Sequence, residues 1–145
     1  MSIVRPADIC GMALSFLILS PSGCSKVSDH LPVYSVRGKV LLGDKPAAGA
    51  LVLFHAKTDA NAAVPRPHGR VAQDGTFSLS TYEAEDGAPA GDYVVTIDWR
   101  KDLPAHVPGA PKLLPTRYSA PHQSPLRATV EPADNQLQPF QLSRP

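Results

Sequence analysis

The sequence predicts an all-β fold, a seven-stranded Greek-key β-sandwich, placed after an N-terminal export signal. Three observations predict it. Sixteen prolines and ten glycines are scattered through 145 residues, leaving few of the uninterrupted windows that a helix longer than about ten residues needs. Short runs alternate apolar and polar residues with the two-residue period of a half-buried strand. Turn-forming residues separate those runs, the pattern of a sandwich built from hairpins and longer returns.

The export signal comes first in the chain. Residues 1–8 carry Arg5, partly offset by Asp8, and residues 9–19 are apolar apart from Gly11 and Ser15. A run of that length suits the apolar centre of a signal peptide and is too short to span a bilayer as a helix. Small residues follow, Ser20-Pro21-Ser22-Gly23, and end at Cys24. The spacing resembles a lipobox, in which the cysteine thiol is diacylated and becomes the first mature residue, although Pro21 stands where that pattern has an aliphatic residue. The alternative is an ordinary secretory signal with a cleavage site nearby. Cysteine usage favours the anchor: Cys10 lies in the part removed, so an unlipidated Cys24 would be a lone thiol in an oxidising compartment. The expected organisation is a signal peptide over 1–23, a polar tether over 24–33 and a folded domain over 34–143. About 110 residues suffice for one core without staples.

Within the domain, residues 34–42 read as a strand with Val36, Val40 and Leu42 on one face and Arg37 and Lys39 on the other. Gly43-Asp44-Lys45-Pro46 is a turn. Residues 50–57 open with a continuous apolar run, expected of a strand covered on both sides. A loop over 58–68 follows. Asp74-Gly75 joins the extended runs 69–73 and 76–82, a hairpin signal because glycine accepts the positive φ of a tight turn. Phe77, Leu79 and Thr81 point inward there. After an acidic loop over 83–90, residues 91–99 give the clearest strand, with Tyr93, Val95, Ile97 and Trp99 sharing a face. Strands over 126–130 and 137–142 close the chain, with Asp134-Asn135 in the turn between them.

The segment 101–125 holds Leu103, Val107, Leu113, Leu114 and Tyr118 among prolines at 104, 108, 111, 115 and 121. It is too apolar for a solvated linker. An ordered strap that shields a sheet edge is expected.

These residues resemble the bacterial carboxypeptidase regulatory-like domain. Gly38-Lys39-Val40, Gly43, Lys45-Pro46-Ala47, Gly49-Ala50, Val52 and Phe54 resemble its opening. Asp74-Gly75, Phe77 and Leu79 resemble its central hairpin, and Gly91-Asp92-Tyr93, Val95 and Ile97 its closing strand. The ending, from Leu114-Pro115-Thr116-Arg117-Tyr118 through Ser124-Pro125-Leu126 to Phe140-Gln141-Leu142, looks like that of a subgroup of small bacterial lipoproteins. Ala72-Gln73 departs from the Thr-Asp pair that many relatives place before the hairpin. The resemblance spans roughly 34–142 and implies a transthyretin-like (prealbumin-like) sandwich of two sheets. It implies no zinc and no nucleophile.

The residues themselves carry little chemistry. Net charge is +1 with both signs interspersed, so there is no electrostatic footprint for nucleic acid. His30, His55, His68, His106 and His122 show no metal-ligand spacing, and no metal or other cofactor is expected. No Gly-x-Ser-x-Gly elbow and no glycine-rich phosphate loop occur. Glu83, Glu85 and Asp86 read as a solvated acidic turn. Candidate binding residues cluster at the end of the clearest strand: Trp99, Arg100 and Lys101, with Tyr118 (and Tyr82) near such an end, since an aromatic beside cations can stack on a sugar or anchor a partner. The alternative for Trp99 is that it continues the buried Tyr93-Val95-Ile97 face. The function expected is a non-catalytic module of the cell envelope, held to a membrane through lipid on Cys24 and meeting a protein partner. A glycan- or small-ligand-binding sandwich is the second reading.

Overall fold

The computed structural model describes residues 30–57, 65–100 and 113–144. The signal peptide, Cys24, most of the tether, Lys101 and His106 lie outside the described residues. Among the described residues there are eleven short strands: β1 (Val33–Tyr34), β2 (Val36–Leu42), β3 (Lys45–Pro46), β4 (Leu51–Ala56), β5 (His68–Arg70), β6 (Thr76–Ser78), β7 (Ala88–Pro89), β8 (Gly91–Asp98), β9 (Arg127–Val130), β10 (Asn135–Gln136) and β11 (Phe140–Leu142). A single 3-10 turn, Thr116–Tyr118, is the only helical piece among the described residues. The fold is all-β.

Two sheets hold most of the strands. In the first, β2 is central, with β3 and β6 antiparallel to it and β10 and β11 parallel. Residues 137–139 oppose only Gly38 and Lys39, because Gln136 pairs with Arg37 and Phe140 with Val40. β10 and β11 therefore act as one strand with an extra residue, at a place where Pro139 has no N–H to give to a ladder. The second sheet, in the order β5-β4-β8-β9, is antiparallel throughout. A third, two-stranded piece pairs β1 with β7.

The period-2 alternation decides which side chains fill the space between the sheets. Val36 and Val40 from β2 and Phe77, Phe140 and Leu142 from its neighbours join Val52, Phe54, Tyr93, Val95 and Ile97 in one apolar cluster. Val52, Phe54, Phe77, Leu79, Val95 and Ile97 are all 3% exposed or less. Rings make two of the contacts: Phe54 lies tilted against Tyr93 at 5.4 Å, and Phe77 stacks on Phe140 at 6.1 Å. β4 differs from expectation on its second face. Leu51 and Leu53 are half-buried rather than covered, so its apolar run belongs to a strand packed chiefly on one side.

The Asp74-Gly75 turn forms as expected. Gly75 N–H donates to Ala72 O at 3.0 Å, Ala72 N–H to Thr76 O at 2.7 Å, and Asp74 Oδ1 accepts from both the N–H and the hydroxyl of Thr76. Its two arms then part: β5 pairs with β4 and β6 with β2, leaving a single bridge between His68 and Ser80. The hairpin thus stitches one sheet to the other.

The described half of the 101–125 segment packs as an ordered strap. β9 covers only the first half of β8, and residues 113–126 meet that edge again at Val95 and Trp99. Leu113 N–H donates to Trp99 O at 2.9 Å, Ser124 Oγ donates to Val95 O, and Val95 N–H donates to Leu126 O at 3.0 Å. Leu114 and Tyr118 are buried beneath it. Residues 101–112 lie outside the described residues.

Candidate functional site

The strand directions place Trp99, Arg100 and Tyr118 at one end of the sandwich. β8 leads into Trp99 and Arg100, the strap returns to Trp99 through Leu113, and Tyr118 meets Ser143 just past β11. Each is already engaged. The Trp99 indole is half-buried against the core, and its Nε1–H donates to Ala48 O at 2.9 Å. It follows the Tyr93-Val95-Ile97 face, the alternative its sequence position left open. Arg100 forks onto Asp98, with Nε 3.2 Å from both carboxylate oxygens and Nη2 3.0 Å from Oδ2, both side chains under 20% exposed.

Tyr118 is 4% exposed, and its hydroxyl sits in a knot with the chain's end. It accepts from Ser143 N–H at 3.1 Å and shares a hydrogen bond with Ser143 Oγ at 3.1 Å. Arg117 lies 4.9 Å from the Tyr118 ring centroid and donates to Ser143 Oγ at 2.9 Å. Burial raises the phenol's pKa, but the hydrogen bonds from Ser143 and Arg117 and the guanidinium charge outweigh it, so the net shift is downward. These contacts make Tyr118 a fastening for the C-terminal strand. Among the described residues here, Leu113, Arg117 and Arg144 have exposed side chains. Lys101 lies outside the described residues.

The acidic loop at the opposite end has an internal order that the sequence reading missed. Glu83 and Glu85 are exposed, as expected, but Asp86 is turned inward. It accepts three backbone N–H groups: Thr81 on Oδ1 at 2.6 Å, Tyr82 and Glu83 on Oδ2 at 2.9 Å each. Thr81 Oγ1 donates to Gly87 O at 2.6 Å, and Glu85, at φ 58°, donates its N–H to Ser80 Oγ at 2.8 Å. A carboxylate three to five residues beyond the donors it caps is the signal, though Asp-Gly after two glutamates reads equally well as a plain turn.

Burial pushes the Asp86 pKa up, and the three N–H donors pull it further down, to a net value below the ordinary one. A carboxyl lowered in the folded state contributes stability that is present above its unfolded pKa of about 3.9 and lost as pH falls through the lowered value. Asp74, held down by the Thr76 hydroxyl and N–H, acts in the same window. The wild type's resistance to urea is therefore expected to fall on going below about pH 4. Asp86→Asn is expected to be less stable at neutral pH and to fall less steeply in acid. Equal acid slopes for the two proteins would refute the role given to this carboxylate.

The histidines sit apart. His30 stacks on Tyr82, with ring centroids 4.0 Å apart and planes 7° from parallel. His55 Nε2 lies 2.8 Å from the buried Thr96 hydroxyl, and burial together with the Arg66 charge holds its pKa below the ordinary value. His68 Nδ1 lies 3.1 Å from Arg66 O, and His122 is exposed. Among the described residues no three His, Cys, Asp or Glu side chains converge as metal ligands. A shallow polar groove of about 160 Å³ is lined by Ser35, Arg37, Asp134, Asn135 and Gln136. Asn135 is spent on the turn itself, donating to Ser35, Glu131 and Ala133 carbonyls.

No protein-family model and no curated protein matches this chain. Among solved structures, the chain is similar to a DUF3823 family protein from Parabacteroides merdae, at 16% identity and a TM-score of 0.37. The alignment covers 79% of this chain and 46% of that one, so the chain spans less than half the length of the protein it matches.

Proposed function

We propose that this chain is a non-catalytic lipoprotein of the cell envelope, a carboxypeptidase regulatory-like (transthyretin-like) Greek-key sandwich that serves as a structural or protein-interaction module. The observation that carries the reading is the N-terminal layout: an eleven-residue apolar run over 9–19, four small residues and then Cys24. The fold reading draws support from the two sheets that share one core and from the seven runs expected from the sequence, each of which a strand overlaps. Support for a non-catalytic role comes from the candidate end, where the Trp99 indole is bound to Ala48 O, Arg100 to Asp98 and Tyr118 to Ser143. An aromatic bound into such contacts also counts against stacking on a sugar at this end.

The test is acylation. Growth with a fatty-acid analogue is expected to label the wild-type chain and leave Cys24→Ser unlabelled, with the variant released from the membrane fraction. A Cys24→Ser protein that keeps both label and membrane retention would overturn the reading.

A further inference from the structure

We propose that residues 80–87 form a clasp which grips the chain just after its lipid anchor and thereby sets the sandwich end-on to the bilayer, with the clasp end against the lipid surface and the Trp99–Tyr118 end pointing away. The inference rests on the reading of Cys24 as the anchor. Its structural basis is the way the chain enters the fold. His30 lies flat on the Tyr82 ring, and Leu31 N–H donates to Tyr82 Oη at 3.1 Å. Val33 and Tyr34 then pair with Pro89 and Ala88. The gripping loop is itself fixed, because Asp86 takes the N–H groups of Thr81, Tyr82 and Glu83. Contacts at His30, Leu31, Val33 and Tyr34 are more than a freely jointed tether would make.

The length of chain does the rest. Residues 25–29 are all that separates Cys24 from His30. Six Cα steps reach at most about 20 Å. From the clasp, β2 runs away from Val36 to Leu42, and β8 runs the same way, from Gly91 beside β7 to Asp98. Trp99, Arg100 and the Tyr118–Ser143 knot therefore lie a strand's length, roughly 20 Å or more, beyond the entry point. The exposed Glu83 and Glu85 offer an anionic bilayer no attraction, so the orientation comes from the clasp and the short tether. The far end, with Arg117 exposed, is left to face a partner.

Trp99 is the chain's single tryptophan, which makes the orientation measurable. The full acylated chain would be reconstituted into phosphatidylethanolamine–phosphatidylglycerol vesicles carrying nitroxide-labelled headgroups. Trp99 emission is expected to be unchanged. In the Glu83→Trp, Trp99→Phe double variant the probe lies within the ~20 Å reach of the tether and is expected to lose roughly half or more of its emission. Tyr82→Ala, and the milder His30→Ala, are expected to remain folded by circular dichroism and bound to vesicles, yet to bring Trp99 into quenching range. Should Tyr82→Ala fail to fold, His30→Ala alone decides. Equal quenching of the two probes in a chain that floats with the vesicles, or no change on removing His30, would overturn the clasp alone. A wild-type chain that does not float would overturn the anchor reading, and the orientation with it.

Discussion

Phe54→Ala is expected to destabilise the domain by about 3–5 kcal/mol, the usual loss when a large aromatic is removed from a closed core. Phe54 is fully buried and stands in the middle of β4, between Val52 on its own face and the Tyr93 ring across the strand pair. The Tyr93 side chain is pinned by its own hydroxyl, which donates to Pro89 O at 2.7 Å, so it cannot swing in to fill the space. A cavity with a pinned wall collapses little, which places the cost toward the upper end of the range. Small domains are typically stable by only about 5–15 kcal/mol, so the variant is expected to lose a large part of its margin. Leu51→Ala, on the half-buried outer face of the same strand, is the comparison, with an expected cost near 1 kcal/mol. Urea unfolding followed through Trp99 emission measures both. A Phe54→Ala loss no greater than that of Leu51→Ala would mean that Phe54 is not the centre of the core.

The core is legible in the sequence where β2 and β8 alternate over six residues or more, so that Val36, Val40, Val95 and Ile97 fall where the pattern puts them. In β4 the run Ala50–Phe54 is apolar throughout, so its one-sided packing, with Val52 and Phe54 inward, shows only in the fold. The two-residue strands β1, β3, β7 and β10 have no period to read. They exist because a neighbouring backbone is already in place: β3 and β10 form along β2, and β1 and β7 along each other. The parallel pairing of β2 with the chain's last strand joins residues about 100 apart, and no local residue choice announces it. At the candidate end the sequence could not assign the partners of Trp99, Arg100 and Tyr118. Those partners are an Ala48 carbonyl, the adjacent Asp98 and Ser143, supplied by three separate parts of the chain. The inward turn of Asp86 was hidden for a related reason: a carboxylate caps N–H groups only once the loop has bent to present them.

The second large effect is expected at Gly87, where the clasp meets the first strand. Gly87 has φ 100°, and a Cβ built there would fall 1.8 Å from Tyr34 O and 2.4 Å from the Tyr34 carbonyl carbon. Both obstacles are backbone, so no rotamer change relieves them. Moving Gly87 instead would break the bond from its N–H to Leu79 O at 2.9 Å and the one its carbonyl accepts from Thr81 Oγ1. Moving Tyr34 would break its pairing with Ala88. Gly49 separates the two causes of damage, because it also has positive φ, 83°, but a Cβ there would meet nothing within 4 Å. Gly49→Ala is expected to cost only the conformational share, about 1–2 kcal/mol. Gly87→Ala adds the collision and is expected to cost about 3 kcal/mol or more. Amide exchange should locate the excess. Val33, Tyr34 and Ala88 are expected to lose protection in Gly87→Ala and to keep it in Gly49→Ala, since only the former forces β1 off β7. With β1 displaced, Leu31 and His30 lose their fixed approach to Tyr82, so the same variant is expected to free the entering chain from the domain. Equal costs at the two glycines, with protection unchanged at 33–34, would show that the first strand does not depend on the close passage over residue 87.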